Sequence, residues 1–452
     1  MGAAAGGRRR AGRLAAAPIV GILAFIAVLG VLVVAHELGH FAVAKLSGVR
    51  VLEFGVGYPP RLFSLTRGGT RYSLNLLPLG GFVRLLGEED PRGPESFAAK
   101  SAWRRLAILG AGSGMNALLP VLLFTALFLT PQHVVVTDVA VLSVAPGSPA
   151  QEAGVLTGDL VRTASGRPVD NSTTLQKAIH LRLGADITWE VERQGRLVEV
   201  RIPEARVAPP PGEGPVGVLL SEGRLTVTAA APGSAAALSG LQVGDLLLRV
   251  GESRTLNEGG PEAAAAAAIE ASPGAPVRID VLRRGRFVTL ELPPEAGGLD
   301  GLTVRARPTE SRSQGPVRAV GSSLRQMWEV LVLFRNEVSR WLGGAGRIEL
   351  SGPVGIAQAT NEITRAGLSP LVTWTALLSM NLAIINLLPI PALDGGRIAL
   401  VLLELARGGR RLAPGRERMV HLVGFAALVA MIIAISVNDI QRLAAGGSIL
   451  GE

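Results

Sequence analysis

The chain has 452 residues, a formal net charge of +9 and 48% hydrophobic residues. Its mean hydropathy of +0.38 favours a membrane protein with roughly two to four domains. The absence of cysteine excludes disulfides, cysteine-ligated zinc and a cysteine nucleophile. The basic charge does not predict a nucleic-acid partner, because only 4% of residues are aromatic and the arginines are dispersed or lie beside apolar segments.

The first apolar segment, Ile19–Ala44, contains the sequence His-Glu-Leu-Gly-His at residues 36–40. The arginines before it imitate a secretory signal, but the run is too long for a signal core and lacks a small-x-small cleavage site. We therefore interpret it as a retained membrane span. On a helix, His36 and His40 share a face and can bind one metal ion, while Glu37 lies about 100° away, close to a water on that ion.

Two imidazoles and a carboxylate are costly at this depth. A charged side chain near the middle of a membrane helix costs roughly 2.5 to 3.5 kcal/mol on insertion scales. The pattern HExxH can arise by chance on an amphipathic helix, and that alternative carries more weight in soluble proteins. Here the chain has only five histidines, and two of them belong to the motif. We therefore interpret the cluster as a functional site, and two histidines leave zinc room for a third ligand and an open position.

Four apolar stretches are long enough to cross a bilayer, which takes about 20 residues. They are Ile19–Ala44, Leu106–Thr130, Leu371–Leu388 and Val420–Val437. The connections after the first and third stretches carry ten and six Lys or Arg residues. The positive-inside rule therefore predicts that both connections are cytoplasmic and that the long segment 132–369 is external. The basic N-terminus opposes this orientation.

The first cytoplasmic connection contains a predicted β-hairpin. Apolar and polar residues alternate from Phe63 to Leu76 on either side of Gly68-Gly69, and the almost wholly apolar run Leu74–Leu79 follows. Two interpretations stay open. The hairpin enters the membrane with an edge that accepts an extended substrate strand, or it is an ordinary surface hairpin packed on a neighbouring helix.

The second span begins with a run of small residues. Gly110, Gly112 and Gly114 precede Asn116. Small residues permit close helix approach, and the amide can form a hydrogen bond across a helix bundle. Helix packing alone also accounts for this pattern, so Asn116 is only a candidate site residue.

The external segment contains an internal repeat. Val141–Val161 reads VLSVAPGSPAQEAGVLTGDLV, and Val227–Leu247 reads VTAAAPGSAAALSGLQVGDLL. The two copies align with a period of 86 residues, so that Asp159 matches Asp245. Each copy continues with strand and helix patterns, which predicts two small α+β domains.

We place the two predicted domains at residues 133–208 and 212–308, separated by three prolines at 209–211. Their shared A-P-G-S-x-A and G-D pattern looks like the PDZ signature of bacterial envelope proteases. This resemblance implies a groove that accepts a chain end or an extended segment by strand addition. A size-exclusion module that binds nothing is an equal alternative.

Residues 316–345 predict an amphipathic helix. Apolar residues recur every three or four positions from Val317, and Trp328, Phe334 and Trp341 belong to this stripe. Such a helix suits the outer membrane surface, or the docking of a PDZ domain to the spans. An ordinary packing helix is also consistent with the pattern.

The third span ends in the sequence Asn-Leu-Leu-Pro-Ile-Pro-Ala-Leu-Asp-Gly-Gly at residues 386–396. Pro389 and Pro391 end the helix, and the two glycines give a tight turn that can direct Asp394 inwards. Because one span and an external segment separate them, the first and third spans run in the same direction. His40 and Asp394 then share the cytoplasmic side, so Asp394 is the predicted third zinc ligand. The alternative is an Asp-Gly turn without such a role.

Three other histidines compete for the position of third ligand. His421 begins the fourth span at the same membrane face, so depth does not exclude it. His133 and His180 lie outside the membrane and are poorer candidates. The predicted membrane halves are residues 1–132 and 368–452.

These motifs together resemble the site-2 protease family of intramembrane zinc metalloproteases. They are HELGH at 36–40, the two PDZ-like repeats, Ser-Gly-Pro-Val-Gly-Ile at 351–356 and the Asp-Gly-Gly segment at 386–396. The similarity covers about residues 19–440 and is greatest to the bacterial regulator of sigma-E branch, with tandem PDZ domains between the second and third spans. Two departures are visible: Arg397 stands where the family usually has His, and Gly112-Ser113-Gly114 replaces the usual Gly-Pro.

The resemblance implies a polytopic α-helical membrane protein with four transmembrane helices, a membrane-associated β-hairpin and two inserted α+β PDZ domains. It implies a zinc metalloendopeptidase, with one Zn²⁺ and Glu37 as general base. The implied zinc ligands are His36, His40 and Asp394. The strand edge near Leu74–Phe82 and the amide of Asn386 are implied to hold the substrate extended.

The implied substrates are single-span membrane proteins, such as a pre-trimmed anti-sigma factor or a remnant signal peptide. Extended or C-terminal peptides are implied at the PDZ domains, which would control entry. The implied location is the bacterial inner membrane, with the PDZ domains on the extracytoplasmic side and the active site near the cytoplasmic face.

Two other classes of protein compete with the protease. A PDZ scaffold or chaperone with a vestigial metal site is disfavoured by the intact Glu37, since a vestige needs no general base. A zinc transporter predicts several acidic or histidine residues along the spans, and such a series is not seen.

Overall fold

The computed structural model describes residues 3–88, 93–254, 260–344, 351–410 and 414–445. The chain forms two compact units. The first comprises Met1–Thr130, Gln314–Met327 and Glu349–Glu452, and the second comprises Pro131–Ser313 and Trp328–Ile348.

The helices and strands follow one another in this order. The N-terminal part forms α1 (Ala3–Leu46), β1 (Val51–Arg67), β2 (Thr70–Leu85) and α2 (Ala102–Leu129). The next part forms β3 (Gln132–Val134), β4 (Asp138–Val144), α3 (Pro149–Glu152), β5 (Leu160–Ala164), β6 (Arg167–Pro168), α4 (Ser172–His180), β7 (Ile187–Arg193) and β8 (Arg196–Ile202). It is followed by β9 (Val218–Gly223), β10 (Leu225–Ala230), α5 (Ala235–Leu238), β11 (Leu246–Val250), α6 (Gly260–Ala271), β12 (Val277–Arg283), β13 (Arg286–Leu292), β14 (Leu302–Ala306) and β15 (Glu310–Arg312). The C-terminal part forms α7 (Pro316–Leu342), α8 (Pro353–Arg365), α9 (Leu368–Leu387), α10 (Asp394–Ala406) and α11 (Pro414–Ala444).

Four helical segments in the described part of the chain are long and apolar enough to cross a membrane. They are Val20–Leu46, Ala102–Leu129, Leu368–Leu387 and Arg418–Ala444. The four predicted spans are thus confirmed to within a few residues, except that the last helix is longer than predicted at its C-terminal end. Helices α1 and α2 approach closely at Gly39, where a Cβ would lie only 2.2 Å from the carbonyl oxygen of Ala111.

The β-hairpin is longer than predicted, and its two strands fold back to make additional pairings. Its turn has φ values of +56° at Gly68 and +75° at Gly69, the two positive values that a type I′ turn requires. Residues 53–56 of β1 pair on one side with 71–74 and on the other with 81–84 of β2. The two long strands therefore fold into four short segments, and the segment 81–85 lies at an edge.

The side chain of Glu53 links its own short segment to the segments that carry Arg61 and Arg84. Its side chain is 3% exposed and accepts hydrogen bonds from Arg61 (2.9 Å) and Arg84 (3.1 Å), and Arg71 lies 3.9 Å away. Burial alone would raise the pKa of Glu53, but the hydrogen bond and charge of Arg61, with the charge of Arg84, hold the pKa below its usual value. The charged carboxylate therefore stabilises the folded hairpin.

Replacing this carboxylate is expected to loosen the hairpin. We predict that Glu53→Gln destabilises residues 51–85 by about 1 to 2 kcal/mol at pH 7, since hydrogen bonds to a charged group are lost. Hydrogen–deuterium exchange of this segment should increase, whereas Glu95→Gln, at an exposed position of the same unit, should leave it unchanged. Because the folded pKa is lowered, the parent should lose this stabilisation as the pH falls below the usual glutamate value of about 4.3. Equal exchange in both variants at pH 7 would contradict the prediction.

The described residues of the second unit form two large antiparallel sheets and a two-stranded sheet of β3 and β15. Strands β8, β7, β5, β4 and β9 form the first in that order, with β6 paired to β5, and β13, β12, β11, β10 and β14 form the other. Each large sheet has its own hydrophobic core, one around Trp189 and one around Leu247. Since β9 pairs with β4, the first sheet extends to Gly223, beyond the predicted domain end at residue 208. The three prolines at 209–211 therefore precede β9 and do not mark the end of the first domain.

The sequence repeat is confirmed in three dimensions. In the first copy, Arg193 binds both carboxylate oxygens of Asp159 at 2.7 and 2.8 Å and the Gly154 carbonyl at 2.8 Å. The second copy has the same arrangement at equal or nearly equal distances. It is formed by Arg283, Asp245 and Gly240. The aspartate occurs in both copies. In each, it binds an arginine through both carboxylate oxygens and so orders the loop before a core strand.

Helix α7 combines an exposed and an anchored half. Val317, Val320, Leu324 and Trp328 form an exposed apolar stripe. Farther along, the buried Glu329 forms ion pairs with Arg167 and with Lys177 of α4, and Asn336 donates a hydrogen bond to the His180 carbonyl at 2.7 Å. This half packs against the first sheet domain, while the assignment to a membrane surface stays a prediction.

Candidate metal centre

The two motif histidines lie on one face of α1, as their four-residue spacing predicts. The side chains of His36 and His40 are each only 12% exposed. Helix α1 brings them together without help from distant residues, because i and i+4 positions are neighbours on an α-helix.

A bent connection brings Asp394 to these histidines. Helix α9 ends at Leu387, and α10 begins at Asp394 itself. The two glycines that follow lie in the first turn of α10 rather than in a separate turn. A Cβ on Gly395 would lie 2.1 Å from the Leu388 carbonyl oxygen, and one on Gly396 would lie 2.4 Å from that of Ile390. Their missing side chains let the connection fold tightly against the start of α10.

The three side chains form a small triangle of electron donors. Oδ2 of Asp394 lies 3.1 Å from Nε2 of His36 and 3.2 Å from Nε2 of His40, and the two Nε2 atoms are 3.2 Å apart. A tetrahedral zinc ion with bonds of about 2.1 Å holds its ligands about 3.4 Å apart. The residues therefore fit a zinc ion in type, number and spacing.

The orientation of His40 also suits a metal ligand. Its Nδ1–H donates to the carbonyl oxygen of Ile108 on α2 at 2.8 Å. In a neutral imidazole, Nε2 then carries the lone pair and points at the Asp394 carboxylate and at His36. With His40 in this tautomer, the facing lone pairs suit a bound cation.

Asn116 of α2 supports the other histidine. Its Nδ2 lies 3.3 Å from Nδ1 of His36, while its buried Oδ1 has no partner among the described residues. Rotating the amide by 180° presents Oδ1 to a proton on Nδ1 and leaves Nε2 with its lone pair facing the triangle. Asn116, only a candidate in the sequence, is thus the amide neighbour of a predicted ligand.

Only one of the three glycines of α2 lies next to the candidate metal centre. A Cβ on Gly112 would lie 2.3 Å from Nε2 of His40 and 2.6 Å from Cε1 of His36, whereas nothing lies within 4 Å of the corresponding positions on Gly110 and Gly114. Of the three glycines, only Gly112 therefore lies in a close contact, and it makes room for the imidazoles rather than for a neighbouring helix backbone.

An open cavity of about 390 Å³ adjoins the triangle. Glu37 lines it beside the two histidines and Asp394, and so do residues 81–85 of β2. A Cβ on Gly81 would lie 2.8 Å from Cγ of Glu37, so the strand passes directly over this carboxylate. Arg397, one turn beyond Asp394, also lines the cavity and lies 3.4 Å from Glu88.

The remaining candidates are not part of the cluster. Asn386 is half-buried near the end of α9 and is not among the described residues that line the cavity. The Nδ1 atom of His421 accepts a hydrogen bond from the backbone N–H of Ala392 at 3.4 Å. His133 on β3 and His180 at the end of α4 belong to the second unit.

Sequence reasoning underestimated the contribution of α2. A buried amide four residues after a glycine in an apolar span was the available signal for Asn116 and Gly112. The Ile108 carbonyl that orients His40 has no sequence signature, because every residue carries a carbonyl group. Only the packing of α2 against α1 selects it.

A histidine pair and an aspartate that meet among apolar helices, next to a glutamate in an open cavity, have the donor set expected of a zinc metalloprotease. The sequence profile of Peptidase family M50 matches residues 24–431. Regulator of sigma E protease from Salmonella typhi is 28% identical over 460 residues, covering 93% of this chain and 98% of that protein. Zinc metalloprotease RasP from Geobacillus kaustophilus is 30% identical over 459 residues, with the same coverage. The chain belongs to peptidase family M50, the site-2 protease family, which confirms the resemblance found in the sequence.

The space around Gly112 gives a direct test of the centre. We predict that Gly112→Ala removes bound zinc and abolishes proteolysis, because the new methyl group would overlap both imidazoles. Gly114→Ala, on the same helix with open space around it, should retain both. Zinc content of the purified proteins by atomic absorption provides the measurement. Stoichiometric zinc in Gly112→Ala would show that the imidazoles are not placed as described.

Proposed function

We propose that the chain hydrolyses peptide bonds within or beside the membrane segments of single-span proteins, with zinc bound by His36, His40 and Asp394. The observation that carries the proposal is the triangle of donor atoms 3.1 to 3.2 Å apart, open to a cavity that contains Glu37. Membership of the metalloprotease family supports it.

In this proposal the chain's own residues divide the chemistry between them. Bound zinc supplies Lewis acidity and lowers the pKa of a coordinated water towards about 7. Glu37 takes the proton released during attack and returns it to the leaving amine. Asn116 and the Ile108 carbonyl keep the two imidazoles oriented. Burial of the centre in the helix bundle limits the access of bulk water.

The edge segment of β2 is the proposed substrate platform. A substrate helix hides its amides in internal hydrogen bonds, so it must unwind before hydrolysis. Residues 81–85 run along the cavity, and the outer edge of this short segment has no strand partner among the described residues. An extended substrate can add there by β-augmentation, directly beside Glu37. The predicted edge at Leu74–Phe82 thus overlaps the cavity lining only at its end, and the proposed role of Asn386 awaits a test.

We propose that the two sheet domains are PDZ domains that bind extended or C-terminal peptides and control substrate entry. The first has a cavity of about 360 Å³ between α4 and β9, and β9 is the last strand of its sheet. A groove between a helix and an edge strand suits strand addition. Pre-trimmed anti-sigma factors and remnant signal peptides are the candidate substrates.

The proposed location is the bacterial inner membrane, with the sheet domains on the extracytoplasmic side and the metal centre near the cytoplasmic face. The distribution of Lys and Arg in the connections supports this orientation. The hairpin supports contact with lipid, since it exposes large apolar side chains. These are Tyr58, Leu62, Phe63, Leu65, Leu74, Leu76 and Leu77.

The general base separates a protease from a scaffold. We predict that Glu37→Gln lowers cleavage of a co-expressed single-span substrate by about 10²- to 10⁴-fold, while zinc content and substrate capture remain. Glu95→Gln, at an exposed position of the same unit, should cleave like the parent. Unchanged cleavage in Glu37→Gln would overturn its role, and a zinc-free parent that captures but never cleaves substrate would indicate a scaffold.

A further inference from the structure

The connection that carries Asp394 is in contact with the last helix, α11. A Cβ on Gly424 would lie 2.3 Å from Cβ of Pro391 and 2.7 Å from its carbonyl oxygen. Nδ1 of His421 accepts the backbone N–H of Ala392 at 3.4 Å. His421 and Gly424 are three residues apart, so they lie on the same face of α11.

The backbone at this point needs external support. Ala392 has a φ of +80°, a left-handed conformation that alanine rarely adopts. Residues persist in such conformations only where surrounding contacts hold them. The hydrogen bond to His421 involves the strained residue itself, two positions before Asp394.

The outer side of this connection faces apolar side chains. A cavity of about 730 Å³ lies beside it, with a lining of apolar side chains. Ile390 and Pro391 form one wall, and Met419, Val420 and Val423 of α11 contribute to the other. The described residues that line this cavity have apolar side chains, so they offer the Ala392 N–H no strong hydrogen-bond acceptor in place of His421.

The opposite end of α11 is anchored as well. The carboxylate of Asp439 is fully buried and accepts the N–H groups of Gly352 and Gly355, at the start of α8, at 2.9 and 2.8 Å. Asp439 and His421 are 18 residues apart, which is about five helical turns and about 27 Å. The side chains of Asp439 and His421 therefore lie on one face of α11. By holding this end of the helix, Asp439 determines the position along the helix axis at which His421 contacts Ala392.

We propose that His421 is a positioning residue for the metal centre. By accepting the Ala392 N–H it holds the left-handed connection in the conformation that directs Oδ2 of Asp394 at the two imidazoles. Asp439 holds α11, and hence His421, in place. The inference rests on the proposed role of Asp394 as a zinc ligand, and it assigns His421 a function other than ligation.

The test compares variants of the full-length protein that keep or remove the acceptor. Asparagine places its amide oxygen near the position of Nδ1, whereas leucine has similar bulk and no acceptor. We expect His421→Leu to lose zinc to a chelator about tenfold faster than the parent and to shift the visible spectrum of the Co²⁺-substituted protein. His421→Asn should resemble the parent in both measurements.

Two results would overturn the inference. One is a His421→Leu protein with parental zinc loss and an unchanged Co²⁺ spectrum, whatever its activity. The other is a His421→Asn protein that behaves like the leucine variant. Asp394→Asn separates this outcome from failure of the proposed function, because parental zinc retention in that variant would overturn the ligand set itself.

A glycine pair answers the same question if His421→Leu does not fold. Gly424→Ala pushes a methyl group into Pro391, whereas Gly415→Ala, on the same helix, meets open space. We expect faster zinc loss and a shifted Co²⁺ spectrum only in Gly424→Ala. Parental values in both variants would show that α11 does not position the connection.

Discussion

The structure depends on three electron donors that face one another inside an apolar helix bundle. Two imidazole nitrogens and a carboxylate oxygen within about 3.2 Å repel one another through their lone pairs unless a metal ion or a proton lies between them. The surrounding architecture keeps them there. The Ile108 carbonyl and Asn116 orient the rings, Gly112 leaves room for them, and the glycines after Asp394 allow its connection to fold back. Burial makes each of these contacts stronger than it would be in water.

The same constraint explains why the hairpin is built as it is. A hydrolytic centre among lipid-facing helices needs an extended substrate, and a strand edge supplies backbone partners for one. Folding two long strands into four short segments places residues 81–85 at an edge beside Glu37. The buried Glu53, bound by arginines from neighbouring segments, holds that edge in position. The proposed general base, the proposed metal ligands and the proposed substrate platform thus meet at one cavity.

Local patterns were sufficient for a large part of the fold. Length and hydropathy identified four spans, because a helix in lipid must satisfy its backbone internally and needs about 20 apolar residues. Gly68 and Gly69 identified the hairpin turn, because glycine readily adopts the positive φ values that the turn has in the structure. The repeat identified a second copy of the first domain, and in the structure Asp159 and Asp245 each bind an arginine in the equivalent position of their own copy. The fold-back of the hairpin and the pairing of β9 with β4 were missed, because both are long-range pairings without a local signal.

By itself, the sequence determined that His36, Glu37 and His40 share a helical turn, because the i, i+4 spacing needs no tertiary information. It also predicted, from the parity of the spans, that Asp394 lies on the same side of the membrane as His40. Only the tertiary structure decided that Asp394 lies 3.1 Å from His36, that Asn116 is adjacent to that ring and that His421 contacts Ala392 rather than the cluster. These contacts join segments far apart in the chain, and their distances are set by helix packing, which no sequence period encodes.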